Sequence, residues 1–162
     1  MLNYFPDEVC VGLQEIPQEI SLIIPLAGCG HNCLDCHSPH YQIATNGEEL
    51  TIEKFKELLD KYKNKVSCVC FFGGEHEERQ LLNFVLLSKT FNKKTALYSG
   101  FELFELEENF KSNILLELNY LKTGQYIRQV GGLDCKTTNQ RLWKIENNNY
   151  TNITKQFWRH HD

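Results

Sequence analysis

The stretch "EISLIIPLAGCGHNCLDCH", residues 19–37, decides how this chain reads. Its first half is apolar, rich in Ile and Leu, and ends in glycine, as a buried strand does. It runs directly into "CGHNCLDCH", where Cys29, Cys33, Cys36, His31 and His37 fall within nine residues. A C-x3-C-x2-C loop gathers three thiolates in the way three corners of an iron–sulfur cube require. Such clusters usually take four cysteines, so three leave one iron open to an outside ligand. Zinc is the rival for the same loop, because Cys3His is a standard structural site and His37 or His40 offers a fourth ligand. Zinc knots usually draw a second ligand pair from another segment, and this chain has no second C-x2-C. A thioredoxin-like role for "CLDC" (33–36) is weaker, since a third cysteine sits four residues upstream.

Outward from this loop, strand and helix patterns alternate. "LTIEKFKELLDKYKN" sets Phe55, Leu58, Leu59 and Tyr62 on one helical face behind Thr51 as N-cap. "KVSCVCFFGG" (65–74) reads as a second buried strand, "ERQLLNFVLLSKTF" as a helix and "KTALYSG" (94–100) as a third strand. "FELFELEENF" reads as a third helix and "LNYLKTG" (118–124) as a fourth strand, while "RLWKIENNNYTNI" suggests a C-terminal hairpin. This rotation predicts an α/β fold with a mostly parallel sheet. Four or five such units cannot close an eight-stranded barrel, so an open partial (β/α) barrel is expected. Ligands in such folds gather at the carboxyl ends of the strands. Those ends carry "GCGHNCLDC", "GGEH", "YSGF" and "KTGQY".

With 162 residues, 41% apolar and 23% charged, the chain is expected to be one globular domain (1–162) with its core at about 19–145. A net charge of -4 without a basic block argues against nucleic-acid binding. No apolar run approaches a membrane span, and "MLNYFPDEVC" lacks the features of a secretory signal, so a cytoplasmic protein is expected. Disulfides are rare in that compartment. Cys68 and Cys70, two apart on a strand, read as small buried hydrophobes on one face, and Cys10 and Cys135 as structural or incidental. For His31, His37, His40 and His76, surface or packing roles weigh as much as chemical ones.

The glycine pair of "FFGGEH" lets backbone approach a ligand at a strand end, and the carboxylate after it can hold an ammonium group. Taken alone it is an ordinary turn, but it follows the cysteine loop by one strand on the same rim. C-x3-C-x2-C on the first βα loop with "GGE" after the second strand resembles the radical SAM superfamily. The resemblance implies a [4Fe-4S] cluster on Cys29, Cys33 and Cys36, with S-adenosylmethionine chelating the fourth iron. It implies further that Gly73, Gly74 and Glu75 contact the methionine amino group and that Asp35 and His37 line the adenine side. Asp35 stands where many members carry an aromatic, and His76 follows "GGE" where proline is common.

Within that superfamily, "LQEIPQEISLIIPLAGCGHNCLDCHSPH", "YSG" (98–100), "YLKTGQYI" (120–127) and "GGLDCKTTNQRLWKI" (131–145) are similar to the activating proteins of the anaerobic ribonucleoside-triphosphate reductases. That likeness implies an open barrel of the radical SAM type. It implies an enzyme that takes an electron from reduced flavodoxin or ferredoxin and cleaves S-adenosylmethionine. The resulting 5′-deoxyadenosyl radical would take hydrogen from a glycine Cα of the reductase. Activation of another glycyl-radical enzyme, a small-molecule radical SAM reaction, and a zinc-stabilised binding module are the alternatives.

Overall fold

The computed structural model describes residues 1–29, 31, 38–110 and 113–158. The strands are β1 (Asn3–Tyr4), β2 (Cys10–Gly12), β3 (Ser21–Pro25), β4 (Glu48–Glu49), β5 (Cys68–Phe72), β6 (Lys94–Tyr98), β7 (Tyr120–Thr123), β8 (Arg141–Glu146) and β9 (Asn149–Asn152). Seven of them form one open sheet in the order β2-β3-β5-β6-β7-β8-β9, and β1 pairs separately with β4. The central four, β3, β5, β6 and β7, are parallel, as the alternating pattern predicts. Antiparallel strands flank them, β2 on one side and the expected β8–β9 hairpin on the other. The fold is therefore mixed α/β around a mostly parallel sheet that does not close.

Helices α1 (Ile52–Tyr62), α2 (Glu78–Thr90) and α3 (Leu103–Asn109) occupy the expected segments. The Thr51 hydroxyl caps α1 by accepting from the Lys54 N–H at 3.1 Å, which satisfies one of the orphan donors of the first turn. Side-chain alternation along the strands then sorts the core into two faces. Leu22, Ile24, Val69, Phe71, Leu97 and Leu121 pack with Phe55, Leu59, Leu81 and Phe84 of the helices. Phe55 anchors that layer, its ring 4.9 Å from Phe84 and 5.8 Å from Phe71.

The opposite face carries Ile23, Cys68, Cys70, Ala96, Tyr120 and Leu142, with Ile16 of the N-terminal loop packed into it. Cys68 and Cys70 are fully buried here, on one face as expected. Leu133, Ile153 and Phe157 pack against this face from the C-terminal third of the chain. Leu2 and Tyr4 are buried in the helix-side core, so the core draws on residues well before 19.

Beneath the sheet, the carboxylate of Glu19 accepts from Ser67 Oγ (2.7 Å), Lys94 Nζ (2.6 Å) and the Tyr120 hydroxyl (3.3 Å). This ties the starts of β3, β5, β6 and β7 to a single buried anion. Among the described residues no helix is long and apolar enough to cross a membrane.

Candidate functional site

Phe72, Tyr98 and Lys122 are register partners across β5, β6 and β7, one row above Cys70, Ala96 and Tyr120 on the same face. The Phe72 and Tyr98 rings stack at 4.8 Å and 15°, and Lys122 Nζ lies 5.9 Å from the Tyr98 ring centre. This row floors a cavity of about 370 Å³ at the carboxyl ends of the parallel strands. Cys29, Gly73 and Glu75 line the same cavity, so three residues singled out by motif meet in one space. Gly74, the fourth, is buried beside it. Cys33, Cys36, Asp35 and His37 lie outside the described residues.

The parallel ladder runs on past the strands and carries the loops to this rim. The Leu26 N–H donates to the Phe72 carbonyl (3.0 Å), that of Gly73 to Tyr98 (3.0 Å) and that of Ser99 to Lys122 (2.9 Å). Gly73 and Gly74 both hold positive φ, 84° and 97°, a conformation that a Cβ strains. A Cβ at Gly74 would also sit 2.7 Å from Leu26 Cδ1. The glycine pair thus reverses the chain at the strand end and brings Glu75 back to the cavity.

Glu75 keeps some accessible surface and lines both this cavity and a neighbouring one of about 290 Å³. Burial pushes its carboxyl above the usual range, outweighing its own backbone N–H, the Ser99 hydroxyl and the charge of Lys122. Lys122 is itself buried, its Nζ donating to the carbonyls of Gly124 (2.8 Å) and Ser99 (3.2 Å). A carboxylate and an ammonium on the walls of one apolar cavity suit a zwitterionic ligand better than a neutral one.

The start of the cysteine loop is pinned to Tyr41. The N–H groups of Gly28 and Cys29 donate to the Tyr41 carbonyl at 2.6 and 3.0 Å. The Tyr41 ring stacks on Phe5 at 4.9 Å and its hydroxyl donates to Glu8 at 3.3 Å. Burial, then the Glu8 carboxylate, push that hydroxyl up to about 12. His40 pairs with Glu8 at 3.0 Å and packs edge-on against Phe5, which gives it an anchoring role. His76 lies against Gly28 and lines the neighbouring cavity. Burial lowers its pKa, and that of His31, below the usual histidine range.

Motif reasoning did not assign Lys122, Ser99 or Gln140, which enter the site through register rather than local pattern. The "TTNQRLW" segment (137–143) carries no legible local pattern, yet it takes a bracing role in the structure. Asn139 Nδ2 donates to the Gln125 carbonyl (2.9 Å), Gln140 Nε2 to that of Gly124 (3.3 Å), and Thr138 Oγ1 to that of Gly131 (2.9 Å). The segment braces the loop after β7 and puts Gln140 on the cavity wall. Gln125 Nε2 in turn donates to the His31 carbonyl at 2.9 Å, joining that loop to the cysteine loop. Among the described residues no group of three or more His, Cys, Asp or Glu side chains is placed to hold a metal ion. Of the three motif cysteines, that statement covers Cys29 alone.

The family described as 4Fe-4S single cluster domain matches residues 20–151. That span runs from the strand before the cysteine loop to the last strand of the hairpin. No curated protein and no solved structure matches the chain.

Proposed function

The chain belongs to the 4Fe-4S single cluster domain family, and from that premise we propose that it is a radical SAM activating enzyme. On this reading Cys29, Cys33 and Cys36 hold a [4Fe-4S] cluster whose fourth iron takes S-adenosylmethionine, and the target is a glycine of the anaerobic ribonucleoside-triphosphate reductase. The fold then serves as a single-domain open barrel of the radical SAM type in the cytoplasm, drawing electrons from reduced flavodoxin or ferredoxin.

The observation that carries the reading is the meeting of Cys29, Gly73, Glu75 and Lys122 around one cavity on the carboxyl rim. The residues suit the cofactors. Cys29 lines the cavity, and Gly73 borders it without a side chain, leaving room for a ligand to approach the backbone. Glu75 accepts from the methionine ammonium, while Lys122 supplies positive charge for the carboxylate. On the same reading, Asp35 and His37 would serve the adenine side. When bound, the reduced cluster and S-adenosylmethionine supply a carbon radical that takes hydrogen from the glycine Cα.

The chain's part is positioning and exclusion. The Phe72–Tyr98 stack and Leu26 line the cavity and would limit water around a bound ligand. The brace formed by Gln125, Asn139 and Gln140 holds the far wall in register with the cysteine loop. No general acid or base is required. The sheet ends in separate edge strands and leaves a lateral opening, which suits a glycine-bearing loop of a protein substrate.

The test is an anaerobic activation assay with the reductase, reduced flavodoxin and S-adenosylmethionine, reading 5′-deoxyadenosine and the glycyl radical. Formation of both in comparable amounts supports the reading. Zinc bound without acid-labile sulfide supports a binding module instead. A radical on a different glycyl-radical enzyme, with none on this reductase, redirects the activity.

A further inference from the structure

His31 sits where the two cavities meet and lines both. Its ring packs edge-on to Phe101 at 4.4 Å and 70°. On another side it lies against Gly100, where a Cβ would come within 2.6 Å of His31 Cδ2, so only glycine admits the ring there. Its carbonyl is held by Gln125 at 2.9 Å. The imidazole is thus fixed by backbone and side chain alike, yet its Nε2 is buried and pairs with nothing among the described residues.

A buried ring nitrogen without a partner is costly, and native structures rarely keep one without a use. Two features separate this one from a packing histidine. It is held in place on three sides, and it borders the space that Glu75 and Cys29 also border. We propose that His31 is a ligand-contacting residue whose Nε2 hydrogen-bonds a polar group of the bound S-adenosylmethionine at the junction of the two cavities. This rests on the function proposed above. It goes beyond the motif residues, because His31 is neither a cluster ligand nor part of "GGE".

The test measures equilibrium binding of S-adenosylmethionine to protein carrying the oxidised cluster, expressed per cluster from iron and sulfide content. His31→Phe keeps a ring against Phe101 but has no nitrogen, and is expected to bind about tenfold more weakly, the worth of one buried hydrogen bond. His31→Gln places an amide nitrogen near the position of Nε2 and is expected to recover most of the loss. A purely packing role predicts the reverse order, with Phe tolerated and Gln impaired.

Gly100→Ala supplies an independent arm, since its Cβ displaces the ring. It is expected to weaken binding in the His31 protein and to add nothing in His31→Ala, a coupling that a double-mutant cycle isolates. Unchanged affinity per cluster in His31→Phe, or additive losses in the cycle, overturns the inference while leaving the proposed function standing. A parent protein that carries its cluster but binds no S-adenosylmethionine overturns both.

Discussion

The N–H of Cys29 donates to the carbonyl of Tyr41 across 3.0 Å, closing the cysteine loop at its base. The grip on Tyr41 comes from the N-terminal segment, through the Phe5 ring and the Glu8 carboxylate. Removing the stack should therefore loosen a loop distant in sequence. Phe5→Ala is expected to cost about 1–2 kcal/mol, from one aromatic pair and the apolar area around it. It should also hasten loss of iron to a chelator, followed by the visible absorbance of the reconstituted protein. An unchanged rate of loss would show that the loop holds without this anchor.

The two glycines of the turn should differ. Gly73 holds φ of 84°, but the nearest atom to its Cβ position is Leu26 O at 3.7 Å. Gly73→Ala is expected to cost about 1 kcal/mol from backbone strain. Gly74→Ala adds a 2.7 Å clash with Leu26 Cδ1 and should cost about 2–3 kcal/mol. Urea unfolding of both variants checks the order, and equal losses would contradict the packing described for Leu26.

If the proposed function holds, Glu75 should set an acid limb on ligand binding. Its carboxyl titrates above the usual range because burial disfavours the charge. An ammonium ligand needs the carboxylate, so affinity for S-adenosylmethionine should fall as pH drops through a midpoint above that of an ordinary glutamate. Glu75→Gln should bind at least tenfold more weakly near neutrality and lose this limb. Equilibrium binding across pH measures it, and a limb that persists in Glu75→Gln would assign the titration elsewhere.

At the other end of the sheet, Glu19 should govern stability rather than chemistry. Burial opposes its charge, but the bonds from Lys94 and Ser67, with the Lys94 charge and Tyr120, more than compensate and hold its pKa below the usual value. A lowered carboxyl pKa stabilises the fold above the unfolded value of about 4.3, and the gain is lost as pH falls through the folded pKa below it. Lys94 is raised, chiefly by its bond to Glu19, so its share persists to about pH 10.4 and is lost above that. Glu19→Gln should cost about 1–3 kcal/mol at pH 7 and markedly less at pH 3. Urea unfolding at both pH values decides, and an equal cost would deny the charge its role.

Much of this architecture is legible in the chain, for reasons visible in single segments. β3, β5, β6 and β7 are apolar runs that end at glycine or shortly before it, and α1 shows a clear apolar face behind a Thr cap. β1, β2 and β4 escape notice because two or three residues carry no period, and "CVG" looks like any loop. "GGE" and Cys29 stand out as local patterns at strand ends, and the structure brings Cys29, Gly73 and Glu75 to one cavity. Lys122 and Ser99 do not stand out, since only strand register brings them beside Glu75. His31 is visible as a residue, but the contacts that fix its ring come from Gly100 and Phe101, nearly seventy positions away.

The most direct measurement is low-temperature EPR of the anaerobically reconstituted, dithionite-reduced protein, with and without S-adenosylmethionine. A [4Fe-4S]⁺ signal that changes shape when the ligand is added is the predicted result, because an open iron is then being chelated. A cluster signal indifferent to the ligand, or zinc in place of a cluster, would contradict the account.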